Sequence, residues 1–186
     1  MRLTERAHTE LKKFLNPGDQ VIDATTGNGY DTVFLARQVG TNGKVFAFDL
    51  QAESIEESTR LIEAEKLVQR VTFFQSCHSK ISEFLPVEIK GGIQAVTFNL
   101  GYLPGGDKQI ITHPDTTLSA LVQSYEYLSV NGIISLIAYR GHDGGNREYN
   151  QLIELIKKMK WSCQTYPGNE SDHSPMLFII RKFKTD

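Results

Sequence analysis

Two glycines between residues 21 and 32 mark the stretch of the chain that is richest in chemical information. Gly27 and Gly29 follow an apolar run that ends on Asp23, and Asp31 lies where the next helix is expected to begin. Glycine adopts backbone angles closed to other residues and lets a ligand approach the main chain. Because ligands collect where strands end in doubly wound sheets, the pattern predicts the cofactor turn of an α/β enzyme.

A nicotinamide dinucleotide is one cofactor that such a turn binds. Gly27-Asn28-Gly29, with Asp49 about 20 residues later, is similar to the dinucleotide fingerprint. The third glycine of that fingerprint would fall at Thr32 and is missing. A carboxylate at Asp31 would also oppose a pyrophosphate at the helix amino terminus, by ~1 kcal/mol.

S-adenosylmethionine suits this set of carboxylates better, because it has no phosphate and carries a positive sulfonium, an amino group and ribose hydroxyls. We expect Asp23 and residues 27–29 along its methionine and sulfonium part, and Asp31 and Thr32 at the methionine end. Asp49 is expected to accept hydrogen bonds from the ribose hydroxyls. The full set of expected cofactor-binding residues is Asp23, Thr25, Gly27, Asn28, Gly29, Asp31, Thr32, Asp49, Gln51, Cys77, His78 and Asn99.

Residues after the second and third predicted strands are expected beside the sugar and the adenine. Gln51 helps to place either group, and Cys77 and His78 lie near the adenine. Simpler roles stay open at this point: His78 as a surface polar residue and Cys77 as a small packed side chain. Asp31 and Thr32 are also residue types that cap a helix.

Composition and charge exclude several other classes of protein. The 186 residues are 40% hydrophobic and carry a formal net charge of -2, which fits one domain, residues 1–186, and argues against general attraction to polyanions. The two cysteines, Cys77 and Cys163, form no CxxC pair or zinc-ligand pattern. No signal peptide or membrane span is predicted, so we expect a cytoplasmic protein without a metal.

Apolar runs alternate with helical patterns along the chain, which predicts an α/β fold with a parallel sheet and helices on both faces. The last two strands are joined by a short link and are expected to form an antiparallel hairpin. A turn is predicted at Asn131-Gly132. The predicted strands are 21–24, 44–49, 71–75, 93–100, 133–139, 161–166 and 176–183, and helical spacing occurs in 3–14, 34–39, 52–66, 118–125 and 149–156.

Three blocks of sequence, residues 23–32, 99–107 and 139–145, occur in a characteristic order. They resemble the YtqB-type family of class I S-adenosylmethionine-dependent methyltransferases over nearly the whole chain. Members of that family include the tRNA 5-(aminomethyl)-2-thiouridine methyltransferase. The resemblance implies a Rossmann-like, seven-stranded, mainly parallel sheet, S-adenosylmethionine as the cofactor, and methylation of the aminomethyl nitrogen on a tRNA wobble uridine.

Methyl transfer to an amine needs a deprotonated nitrogen held in line with the methyl group, so positioning and desolvation supply much of the rate. For this reaction we expect a catalytic loop whose carbonyls orient the amine. It consists of Asn99, Leu100, Gly101 and Tyr102. Tyr102 would pack against the flipped-out base or the cofactor, with simple core packing as the alternative. Secondary candidates for base contact or proton removal are Tyr139, His142 and Asp143, with helix capping as the alternative for His142.

A tRNA anticodon stem-loop is the expected partner, and a local basic edge would meet its phosphates. A solvated surface is the alternative role for these charges. An rRNA or small-molecule substrate, a non-catalytic cofactor- or RNA-binding module, and a homodimer also stay open. The residues of the expected basic edge are Lys157, Lys158, Lys160, Arg181, Lys182 and Lys184.

Overall fold

The computed structural model of the chain describes residues 1–101, 113–140, 144–169 and 174–184, and within these ranges seven strands form one sheet. The strands are β1 Gln20–Asp23, β2 Lys44–Asp49, β3 Val71–Gln75, β4 Ile93–Leu100, β5 Leu128–Ala138, β6 Ser162–Pro167 and β7 Met176–Arg181. Their order is β3-β2-β1-β4-β5-β7-β6. Strands β1 to β5 pair in parallel, whereas β7 is antiparallel to both β5 and β6. The predicted mainly parallel sheet with an antiparallel C-terminal hairpin is confirmed.

Helices connect the strands in the described part of the chain, and none of them is long and apolar enough to cross a membrane. The α-helices are α1 Leu3–Lys12, α2 Tyr30–Val39, α3 Ala52–Ala64, α4 Ile81–Phe84, α5 Pro114–Tyr127 and α6 Gly145–Lys158. Short 3-10 turns lie at Val68–Arg70, His78–Lys80 and Val87–Ile89.

The core lies on both faces of the sheet because successive strand residues point to opposite sides. Ile22 of β1 packs on one face in a cluster with residues of α5 and α6. Its neighbour Val21 packs on the other face with residues of α1, α2 and α3. Leu11 of α1 and Leu35 of α2 are fully buried in this second cluster. Helices on both faces, as predicted, therefore bury residues 21–23 of β1.

Two local features differ from the predicted elements. The Asn131-Gly132 turn lies inside β5, where the pairing with β4 shifts register. Asn131 has a φ of 69°, its N–H donates to the carbonyl of Lys182 at 2.7 Å, and Gly132 accepts from the N–H of Lys182 at 3.1 Å. The strand continues through the bend because a distant segment supplies these hydrogen bonds. Residues 78–89, for which no helix was predicted, contain α4 and two 3-10 turns.

Lys182 also stabilises the carboxyl end of α5. Its ammonium group donates to the carbonyls of Tyr125 at 2.9 Å, Glu126 at 3.3 Å and Leu128 at 2.8 Å. The last carbonyls of a helix have no partner within the helix, and a cation there interacts favourably with the helix dipole. Burial lowers the pKa of Lys182, with Glu126 acting in the opposite direction. Lys182 is therefore a structural cation.

Replacing this ammonium group should cost folding stability. We expect Lys182→Met to lower the free energy of unfolding by about 1–3 kcal/mol, because three carbonyls lose a charged donor. Urea denaturation measures the change as a lower midpoint with an unaltered slope. Lys184→Met, at an exposed position two residues away, is the matched control. An equal effect of the two substitutions would contradict a capping role for Lys182.

Candidate active site

The sheet order places the ends of β1 and β4 side by side at the centre of the molecule. Asp23, the last residue of β1, pairs with Thr97, so Asn99 lies just beyond it along β4. The chain leaves β1 and β4 toward opposite sides of the sheet order, and such a switch point is where open α/β sheets bind ligands. The expected cofactor turn and the first part of the expected catalytic loop thus meet at one edge.

Asp23 is buried, with 1% of its surface exposed. Its carboxylate accepts hydrogen bonds from the hydroxyl of Thr32 at 2.6 Å, the hydroxyl of Thr97 at 3.3 Å and the N–H of Thr25 at 3.3 Å. Burial is the main cause that raises the pKa of Asp23 to about 7, and the neighbouring charge of Asp31 adds to it. Asp23 and Thr32 therefore form a buried support beneath the glycine turn.

The glycine turn is tied to the end of β2. Asp49 accepts hydrogen bonds from the N–H of Gly27 at 2.8 Å and the N–H of Gln51 at 3.0 Å. Gly29 has a φ of 81°, and a Cβ there would lie 2.8 Å from the hydroxyl oxygen of Ser58. Only glycine fits this close approach to α3 without a shift. Asp49, Gln51 and the turn are thus brought together as predicted, with half-buried Asn28 between the two glycines.

Asp31 and Thr32 do not cap α2. The helix begins after Gly29, without a hydrogen bond from a capping side chain. Asp31 instead accepts from the side-chain amide nitrogen of Asn99, and its other carboxylate oxygen lies 2.6 Å from Nε2 of His8. The capping alternative is therefore wrong, because both side chains are bonded to other elements of the fold.

His8, in α1, was not among the residues expected from the sequence. Its ring stacks on Phe34 of α2, with centroids 3.8 Å apart and planes 2° from parallel. In the sequence His8 lies beside the apolar stripe that Ala7 and Leu11 form at helical spacing. A polar aromatic residue at that position was the available signal, but nothing local links it to Asp31.

Asn99 is held from two sides and retains one free acceptor. Its backbone N–H donates to the hydroxyl of Thr25 at 2.7 Å, and its side-chain nitrogen donates to Asp31. Its side-chain oxygen, Oδ1, is buried and has no hydrogen-bond partner in the described part of the chain. Leaving a buried acceptor unpaired costs free energy, about 1–3 kcal/mol. A ligand N–H or O–H group at this position would remove that cost.

His78 is a second group of this kind. It is 8% exposed, so it is not the surface residue of the simpler alternative. Nδ1 lies 3.2 Å from the carbonyl of Ala24 and donates to it, and burial lowers the pKa of His78 to about 4. The ring is therefore neutral, and its buried Nε2 is an acceptor without a described partner. Cys77 is half-buried, with the hydroxyl of Ser79 3.1 Å from its sulfur.

The remaining catalytic candidates fall into three groups. The side chain of Leu100 is fully buried in the core, so only its backbone is available to the site, and Gly101 follows with a φ of 143°. Tyr139 is 42% exposed, and burial, followed by the charge of Asp31, raises its pKa. Tyr102, His142 and Asp143 lie outside the described residues.

The residues of the expected basic edge lie near the amino ends of the parallel strands, at the end of the sheet opposite the site. Arg181 pairs with Ile133 at the amino end of the parallel part of β5, whereas Ala138 marks the end nearest the site. Five residues of strand separate these ends, roughly 17 Å. Lys157 and Lys158 end α6 just before β6, whose first residue also pairs with Arg181. The expected basic edge is therefore remote from the site, and its Lys182 binds helix carbonyls.

Comparison with known proteins decides the family. The family model described as "Putative rRNA methylase" matches residues 45–181. The chain belongs to this rRNA methylase family. A model of protein-L-isoaspartate(D-aspartate) O-methyltransferases matches residues 3–79, which include the glycine turn. The expected family and the class I methyltransferase fold are confirmed.

Several relatives of this rRNA methylase family member are known. The "tRNA (mnm(5)s(2)U34)-methyltransferase, chloroplastic" of Arabidopsis thaliana is 43% identical, over 97% of this chain and 69% of its own length. A crystal structure of a "putative rRNA-methylase" from Clostridium thermocellum has a TM-score of 0.88 and 35% identity, covering 97% of this chain and 98% of that one. A "putative methyltransferase" from Streptococcus mutans, in complex with SAH, has a TM-score of 0.86 and 31% identity, covering 98% and 99%.

Removing the Asp49 carboxylate should weaken cofactor binding. We expect Asp49→Ala to raise the dissociation constant of S-adenosylhomocysteine roughly 10- to 100-fold, as loss of a charged hydrogen-bond acceptor predicts. Calorimetry measures this, and wild-type protein should bind S-adenosylhomocysteine but not NAD. Glu53→Ala, an exposed carboxylate in the first turn of α3, is the control. Tight NAD binding, or equal weakening by both substitutions, would overturn the assignment.

The raised pKa of Asp23 predicts a pH dependence of stability. Folding raises the pKa of Asp23 from 3.8 to about 7, so the folded state binds the proton of this carboxyl more tightly than the unfolded state does. The free energy of unfolding gained from this protonation is complete below about pH 4 and is lost as the pH rises to about 7. Asp23→Asn stays uncharged, so its free energy of unfolding should rise relative to wild type over that interval, by at most about 1.4 kcal/mol per pH unit.

Urea denaturation at a series of pH values measures this difference. His78, whose pKa burial lowers, contributes the opposite slope in both proteins, so the comparison isolates Asp23. A difference between the two proteins that stays constant with pH would show that Asp23 titrates at its ordinary value.

Proposed function

We propose that this protein transfers a methyl group from S-adenosylmethionine to the aminomethyl nitrogen of 5-aminomethyl-2-thiouridine at the wobble position of tRNA. The observation that carries the proposal is the 43% identity, over 97% of this chain, to an Arabidopsis protein named for that reaction. A relative that is 31% identical is in complex with SAH, the product that remains when S-adenosylmethionine gives up its methyl group. The anticodon stem-loop is then the partner.

The residues at the carboxyl edge fit this cofactor. The carboxylate of Asp49 and the close backbone of Gly27 and Gly29 match hydroxyl and amino groups, and the unpaired acceptor of His78 matches an N–H donor. When bound, S-adenosylmethionine supplies a methyl carbon that the amine nitrogen attacks while the carbon–sulfur bonding pair leaves with the sulfur. The chain's own residues have to bind, orient and desolvate the two reactants.

The amine must lose a proton before it reacts. An alkyl ammonium group has a pKa near that of lysine, about 10, and desolvation at the site favours its neutral, reactive form, with the released proton passing to solvent. The unpaired Oδ1 of Asn99 then accepts a hydrogen bond from one N–H of the neutral amine. Asn99 orients the amine through a hydrogen bond, and the tRNA approaches the carboxyl edge of the sheet.

Two exposed tyrosine rings lie near that edge and offer stacking surfaces for bases of the anticodon loop: Tyr30, which is 71% exposed, and Tyr139.

We further propose that residues 1–186 act as one catalytic domain in the cytoplasm. A homodimer stays a prediction.

An rRNA substrate is the second candidate. It is favoured by the description of the family and by 23% identity to the ribosomal RNA small subunit methyltransferase H of Oceanobacillus iheyensis. That alignment covers 67% of this chain and 39% of the relative, much less than the tRNA methyltransferase alignment. The comparison therefore favours tRNA.

Mass spectrometry of nucleosides tests the proposal. Purified protein, S-adenosylmethionine and tRNA that carries 5-aminomethyl-2-thiouridine should give the methylaminomethyl nucleoside, whereas ribosomal RNA should gain no methyl group. Asn99→Ala should lower turnover by about 100-fold and retain S-adenosylhomocysteine binding, because it removes an oriented acceptor. Methylation of rRNA in place of tRNA would favour the second candidate. Normal cofactor affinity with no transfer to any RNA would indicate a non-catalytic module.

A further inference from the structure

We propose that His8 is a positioning residue for methyl transfer. Through Asp31 it holds the side-chain amide of Asn99 with Oδ1 directed at the substrate amine. This inference rests on the proposed amine substrate but adds a residue from a separate helix, α1. It links three elements through two consecutive contacts, His8 to Asp31 and Asp31 to Asn99.

The proton positions along this chain of contacts follow from its chemistry. An ionised carboxylate has acceptors only, so Nε2 of His8 and the side-chain nitrogen of Asn99 must both donate to Asp31. An asparagine amide has a donor end and an acceptor end. Because Asp31 takes the donor end, Oδ1 of Asn99 must point away from Asp31, into the buried position where it has no described partner.

That orientation suits an amine. A neutral primary amine has two N–H donors and one lone pair. When an acceptor takes one N–H, the lone pair is turned away from the acceptor and is free to attack the methyl carbon. The reversed amide of Asn99 would present a donor, which would bind the lone pair and block the reaction.

His8 is itself held firmly, which is what a positioning residue requires. Its ring stacks on Phe34 at 3.8 Å, and α1 is anchored by the fully buried Leu11. His8, Asp31 and Asn99 border one narrow cleft between α1 and the sheet. Without the contact from His8, the Asp31 carboxylate loses one of its two hydrogen-bond donors. It can then rotate more freely, together with the Asn99 amide.

Two substitutions separate the stacking of His8 on Phe34 from its hydrogen bond to Asp31. His8→Phe keeps a ring that can stack on Phe34 but removes the donor to Asp31. His8→Gln loses the stack and keeps an N–H donor at a similar distance from the backbone. Thr9→Ala is the control for α1, since the exposed Thr9 hydroxyl bonds only to a carbonyl of its own helix among the contacts described.

The expected pattern is a fall in kcat without a change in cofactor affinity. His8→Phe should lower kcat for tRNA methylation by about 10- to 100-fold, as small misplacements at a reacting centre do. It should leave the KM for tRNA and the affinity for S-adenosylhomocysteine close to wild type. His8→Gln should recover most of the lost kcat, and Thr9→Ala should match wild type. Wild-type kcat in His8→Phe, or a His8→Gln variant as slow as His8→Phe, would overturn the proposal.

A second measurement does not depend on turnover. In nitrogen-15 spectra of the protein with S-adenosylhomocysteine, the side-chain amide signals of Asn99, assigned by their loss in Asn99→Ser, should move in His8→Phe and return toward wild type in His8→Gln. Unchanged Asn99 signals in His8→Phe would overturn the positioning role. If wild-type protein methylates no tRNA, the proposed function fails, and this measurement still decides whether His8 orients Asn99.

Discussion

The carboxylate of Asp31 is the point at which three separate parts of the chain meet. It accepts from His8 of α1 on one side and from Asn99 of β4 on the other, while belonging to the first turn of α2. A partly buried negative charge needs such donors, so the charge fixes the position of each element relative to the others. Its field also contributes to the raised pKa of Asp23 and of Tyr139. The relative positions of α1, α2 and the end of β4 at the carboxyl edge therefore depend on this one group.

We propose that the same carboxylate favours S-adenosylmethionine over a dinucleotide. A pyrophosphate at the start of α2 would meet a negative charge, whereas a ligand with an amino group and a sulfonium would be attracted to it. The glycine turn suits either cofactor, because Gly27 and Gly29 provide close backbone approach without regard to charge. On this proposal, the selectivity comes from Asp31 and from Asp49, which is bonded to the turn.

Features with a local origin could be predicted from the sequence. The strand ends at Asp23 and Asp49 and the glycines between them follow from apolar runs and turn chemistry, and the structure brings them together. His8 and Lys182 could not be predicted in the same way, because their partners lie 23 and 54 to 57 residues away. The position of the expected basic edge could not be predicted either, because charges that are close in sequence carry no information about which end of the strands they occupy.

A crystal structure of the protein with S-adenosylhomocysteine and an anticodon stem-loop containing 5-aminomethyl-2-thiouridine would test the central claim most directly. We predict that the ribose lies beside Asp49 and that the aminomethyl nitrogen lies within hydrogen-bond distance of Oδ1 of Asn99. An anticodon loop bound at the amino edge, beside Lys157 and Arg181, or an aminomethyl nitrogen remote from Asn99, would contradict the account.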